Sequence, residues 1–74
     1  MDNDDHIQGY FDGRDLGTPW PSGNRSHVYR HCFEVGRREK MGCHWPAEVA
    51  RQRAAAAYIA DGLPVPEMPR GRPA

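Results

Sequence analysis

Long apolar runs are missing from this chain. No stretch of its 74 residues approaches the roughly 20 residues that a helix needs to span a bilayer. Cysteine is scarce: Cys32 and Cys43 are the two, too few for a disulfide framework. The start, Met-Asp-Asn-Asp-Asp, is the opposite of a signal peptide's basic beginning. These features together predict a cytoplasmic protein with no membrane role. Also missing are a glycine loop ending in Gly-Lys-Ser/Thr, a carboxylate pair and an oxyanion loop. Neither an enzyme nor a bound cofactor is expected.

What is present is small and unevenly charged. Seventy-four residues with 38% apolar content and seven aromatics can build one modest core, near the lower limit of self-sufficiency. A deep, fully walled pocket is hard to build from so little material, so binding through a surface is the expectation. The formal net charge is zero. Residues 1–15 hold five aspartates and one arginine, whereas residues 25–53 hold seven Arg or Lys against three Glu. The chain thus reads as an acidic head joined to a basic middle, which suits nucleic acid, an acidic protein surface, or neutralisation of one half by the other.

Local signals predict an all-α, three-helix domain over residues 1–63, with helices at about 3–13, 25–40 and 46–61. Asn3 or Asp4 can cap the first helix, where Ile7, Tyr10 and Phe11 form an apolar stripe. Gly9 and Gly13 clear a strip for close backbone approach, and Gly13 could equally end the helix. Pro19 and Pro21 flank Trp20 in an elbow that cannot be helical. The second helix starts at Asn24 or Ser26, presents Val28, Tyr29, Cys32, Phe33 and Gly36 on one face, and stops at Gly42. Pro46 opens the third helix and Gly62 with Pro64 closes it, with Val49, Ala56, Ile59 and Ala60 as its buried face and Arg51 and Arg53 outward. Tyr10, Phe11, Trp20, Tyr29 and Phe33 are the predicted core. Residues 64–74 are proline-rich and predict a flexible tail.

Potential metal ligands gather at His27, His31, Cys32, Cys43 and His44. His27 and His31 have the i, i+4 spacing of paired zinc ligands. A helix from His31 to Lys40 rises about 13 Å, however, and two further residues cannot bring Cys43 back. No metal site is therefore expected unless the helix breaks near Gly36, and a Cys32–Cys43 disulfide fails on the same reach.

The basic residues Arg25, Arg30, Arg37, Arg38 and Lys40 are the candidate contacts to phosphates, with Trp20, Tyr29 or His31 available to stack on unpaired bases. The alternative surface is the acidic head, Asp2, Asp4, Asp5, Asp12 and Asp15, which could imitate nucleic-acid charge towards a basic host protein. An inhibitor from a phage or mobile element, of anti-defence or anti-CRISPR type, would use it so. An alanine-lined third helix and a thin core also make a homodimer an expectation.

Three runs resemble a known family: Gly9-Tyr10-Phe11-Asp12-Gly13, Pro19-Trp20, and Tyr29-Arg30-His31-Cys32-Phe33. In order and spacing they are similar to the small bacterial ribosome modulation factors and the related CrpP-type proteins, across residues 9–40. Cys32 stands where that family usually has glycine. The resemblance implies two helices joined by a linker, and contact of Arg25, Arg30 and the aromatics with ribosomal RNA and protein. It further implies translation silenced through inactive ribosome pairs. The family factor is strongly basic, and its pattern includes neither the third helix nor the tail.

Overall fold

Glycines and prolines punctuate the chain between residues 17 and 23 and again between 42 and 46, and helix forms in the stretches outside them. The computed structural model describes residues 4–66, with side chains from His6 onward. Its helices are α1 (Asp4–Arg14), α2 (His27–Lys40) and α3 (Ala47–Ala60), and no strand occurs among the described residues. The all-α, three-helix expectation holds, with each boundary within two residues. Asn3, one of the two proposed caps, and residues 67–74 of the proposed tail lie outside the described residues; Asp4, the other cap candidate, is the first residue of α1.

The joint between α1 and α2 is made of backbone. A Cβ placed on Gly9 would sit 2.6 Å from the Tyr29 carbonyl oxygen and 3.3 Å from Cys32 Cβ. One on Gly13 would collide harder with the Phe33 carbonyl oxygen, and one on Gly36 with that of Tyr10. Three glycines therefore let the two helices approach more closely than any side chain would permit. Gly13 does not end α1, contrary to one sequence expectation; the helix continues to Arg14 and the glycine serves packing instead. Gly9 faces Tyr29 while Gly13 faces Phe33, so the numbers rise together and the helices run in the same direction.

Parallel neighbours need a return path, and the elbow supplies it. It leaves the end of α1 near Arg37 and reaches Ser26 at the start of α2. The Arg37 guanidinium anchors it, Nε donating to the Gly13 carbonyl at 2.7 Å and Nη2 donating to those of Asp15 and Thr18 at 3.1 and 2.7 Å. A cation at these carbonyls also complements the negative end of the α1 dipole. Tyr10 Oη donates to Glu39 at 2.5 Å, and Arg14 meets the same carboxylate at 3.3 Å.

α3 is attached differently. Its backbone approaches α2 and, among the described residues, not α1. The Asp61 carboxylate at its end accepts from the backbone N–H of His27 at 3.0 Å and of Val28 at 2.8 Å. Ser26 accepts from Tyr29 N at 3.0 Å, so the exposed donors of the first α2 turn are capped from two elements. α2 has no acidic residue in its own first turn; Asp61 brings that charge from α3. Both α2 and α3 close with a glycine in the left-handed region, Gly42 at φ 77° and Gly62 at φ 72°. Each is followed by a long-reach bond, Cys43 N to Arg38 O at 2.8 Å and Leu63 N to Tyr58 O at 2.9 Å.

The core is smaller than the sequence suggests. Phe33 is wholly buried, with Val28, Tyr29 and Ala57 nearly so. Tyr10 is only half-buried, Phe11 is 63% exposed and Trp20 is 58% exposed. Trp20 lies edge-on against Phe33, 5.1 Å between ring centres, as an outer lid and not a plug between helices. The glycine joint leaves no gap between α1 and α2 wide enough for either ring. α3 buries Ala57, whereas the expected Ala56, Ile59 and Ala60 are exposed and Val49 is partly so. α3 therefore meets α2 along the ridge that carries Ala57.

Gly36→Ala is expected to lose about 1–3 kcal/mol or more despite alanine's better helix propensity, because the displaced partner is backbone. Gly23→Ala, with open space around it, should be near neutral by urea denaturation, and equal effects would refute the joint. Asp61→Ala should lower stability by about 1–2 kcal/mol, a fall of roughly 4–16 °C in a domain of this size. An unchanged melting temperature would count against the cap.

Candidate nucleic-acid interface

The predicted phosphate contacts do not share one surface. Arg37 gives its Nε and Nη2 donors to the elbow. Lys40 is exposed at the end of α2. Arg25 lies over the Tyr29 ring, 3.6 Å from its centre. Arg30 Nη2 stands 3.1 Å from His27 Nδ1, which accepts from it. Arg38 approaches Glu34 at 3.9 Å and lies over the Trp45 ring at 4.6 Å. The buried Nε atoms of Arg30 and Arg38 have no hydrogen-bond partner among the described residues.

Trp45 organises the part of this surface that sequence reasoning missed. Half-buried in the α2–α3 connection, it stacks on His31 with ring planes 3° apart and centres 5.9 Å apart. Arg53, expected simply to point outward, lies over the same indole at 4.7 Å. Two guanidiniums and an imidazole thus gather on one ring. The available signal was a tryptophan directly before the proline that opens α3, a place where a large ring can fold back on both helices.

Beside this cluster a groove of about 480 Å³ opens between the elbow, α2 and α3. Trp20, His27, Arg30, His31 and Arg53 line it, Glu34 is the acidic lining residue, and alanines of α3 form its floor. An exposed indole, two arginines and a carboxylate offer a stacking face, phosphate donors and an acceptor for a base amine. Asp12 accepts from the Tyr29 hydroxyl and from Gln8, and Asp15 from Gly17 N and the Thr18 hydroxyl. Asp2 lies outside the described residues, and Asp4 and Asp5 fall in the first turn of α1. The described ion pairs join arginines to Glu39, Glu34 and Glu48, not to those aspartates.

The candidate metal ligands stay apart. α2 is unbroken through Gly36, which puts His27 about 20 Å of helix from Lys40, with Cys43 and His44 beyond it. No group of three His, Cys, Asp or Glu able to hold a metal is found among the described residues. Cys32 and Cys43 are both free thiols, and burial pushes Cys32 up to about 11, so it stays protonated and unreactive at neutral pH. No described helix is long and apolar enough to cross a membrane.

No family model, curated protein or solved structure matches this chain.

Burial holds the His31 imidazole below its ordinary value; Glu34 opposes that effect and Arg53 reinforces it. The unfolded chain therefore takes up this proton more readily than the folded one. The His31 contribution to stability is complete above its unfolded value of 6.5 and declines as pH falls below it. The melting temperature should fall between about pH 7 and pH 5, and His31→Gln should flatten that segment. Parallel profiles for the two proteins would remove His31 as the cause.

Proposed function

We propose that this protein is a small, non-enzymatic regulator that binds RNA, of the kind the ribosome modulation factor resemblance implies, through the groove and ring-held arginines of α2 and α3. The observation that carries this reading is the fixing of Arg38 and Arg53 on Trp45, at 4.6 and 4.7 Å, beside the groove that holds Arg30. A guanidinium lying on a ring loses little freedom on binding and can turn terminal N–H groups to phosphate oxygens, which for Arg38 compete with Glu34 at 3.9 Å. Trp20, 58% exposed, supplies a face for one unstacked base. The ribosome is the expected source of that RNA on the strength of the three motif runs between residues 9 and 33.

Arg37 is left out of this contact, because its Nε and Nη2 hold the elbow. The acidic-head inhibitor is not favoured, since Asp12 and Asp15 have local donors of their own.

Titration of a labelled single-stranded RNA tests the proposal. Replacing Arg30, Arg38 and Arg53 together by Gln should weaken binding at least tenfold near 100 mM salt and reduce the log–log salt slope by about 2, as loss of three phosphate contacts requires. Arg51→Gln, whose guanidinium is paired with Glu48, should bind as the parent does. Unchanged affinity of the triple variant would overturn the RNA reading. Absence of the parent protein from every ribosomal fraction of a sucrose gradient would overturn the ribosomal part alone.

A further inference from the structure

The groove between the elbow, α2 and α3 contains one group that a phosphate-binding surface does not need. Along α2, His27, Arg30 and Glu34 fall at i, i+3 and i+7 on one stripe of the helix, and Arg53 faces them from α3 beside a floor of alanines. Phosphate oxygens repel a carboxylate, so Glu34 weakens this groove for a bare RNA backbone. The fold makes little use of it. Half-buried, it accepts no hydrogen bond among the described residues, and its ion pair with Arg38 spans 3.9 Å between side chains 33% and 37% exposed. A contact so long and so open to water contributes little. An acceptor left without a donor in a half-buried site gains most from a ligand that brings N–H groups.

We propose that Glu34 selects guanine: an unpaired guanine of the bound strand stacks on Trp20 and donates its N1–H and N2–H to the Glu34 carboxylate. This rests on the RNA reading above and adds to it the identity of one base. An ionised carboxylate is acceptor-only, with two oxygens side by side. Guanine alone of the four common bases presents two adjacent donors on its Watson–Crick edge, which is open to protein when the base is unpaired. Adenine and cytosine present one amine beside a ring nitrogen that repels the carboxylate, and uracil flanks its N3–H with two carbonyl oxygens. The stacking face is at hand. Trp20 rests edge-on against Phe33, Arg37 lies over one face of the indole at 5.8 Å, and at 58% exposure the other face is open to a base. A groove of about 480 Å³ has room for one base and its sugar. Backbone and base contacts assist each other here, because a phosphate taken up by Arg38 frees Glu34 from its long ion pair.

Anisotropy titration of the full chain near 100 mM salt tests this with a labelled all-uridine RNA and with strands whose central uridine is replaced by guanosine, adenosine or inosine. The guanosine strand should bind at least about fivefold tighter than the uridine and adenosine strands, the second of which controls for purine stacking. Inosine keeps N1–H and lacks the N2 amine, so its strand should fall between. Glu34→Gln, checked for helical circular dichroism, should bring the guanosine, inosine and adenosine strands within about twofold of one another. Glu48→Gln is the control: that carboxylate is paired with Arg51 outside the groove, and the parent preference should persist. Guanosine monophosphate should not displace the guanosine strand below about 1 mM, since the strand's phosphates supply most of the affinity. Displacement at the strand's own concentration would make the ligand a free nucleotide and overturn the strand assignment. A parent protein that binds all four strands equally overturns guanine selection and leaves the RNA reading standing. So does a preference that survives Glu34→Gln, or one that Glu48→Gln removes equally. If the parent binds none of the strands, both readings fall.

Discussion

Everything in this fold follows from how closely α1 can approach α2. Gly9, Gly13 and Gly36 remove the side chains from the seam, so carbonyl oxygens of one helix rest over the glycines of the other. The contact is short-range dispersion between backbones, strong because it is dense and intolerant of any added methyl group. It has a second consequence. With no space between the helices for large rings, Phe11 and Trp20 are pushed to the margin, and Phe33 is left as the centre of a very small core.

Polar groups supply the fastening that so small a core cannot. Arg37 holds the elbow by three backbone carbonyls, and Asp61 holds α3 to the first turn of α2 by two backbone N–H groups. Both are charge-assisted bonds to helix ends, where the dipole adds to the attraction. Together they fix the direction of every connection: α1 parallel to α2, with the elbow running back, and α3 tethered by its C-terminal end. The same use of charge explains the divided surface. Arginines that serve the fold lie on the α1 side, while Arg38, beside Glu34, and Arg53 rest on Trp45 next to the α2–α3 groove.

The elements were legible in the residues because their signals are local. Pro19 and Pro21 exclude helix whatever surrounds them, Gly42 and Gly62 adopt the left-handed turn that ends a helix, and Ser26 caps the helix it precedes. The glycine strip was legible too, since Gly9 and Gly13 are one turn apart. The site was much less so. Arg30 and Arg38 were candidates, but Trp45 and Arg53 are brought to them from another helix and the loop before it, across separations that no local pattern encodes. Asp61 stood unnoticed for the same reason: an acidic residue after a helix has no meaning until a helix N-terminus is placed opposite it.

The sequence by itself therefore determined the number of helices, their ends and the bare seam of α1, all of which depend on backbone preferences within a few residues. Tertiary structure decided which arginines hold the fold, which rings are core and which are rim, and that one groove is lined by arginines and another by apolar side chains. Those outcomes depend on the distance and rotation between helices. Three absent side chains and two charge contacts to helix ends set that geometry, and neither acts until the chain has folded back on itself.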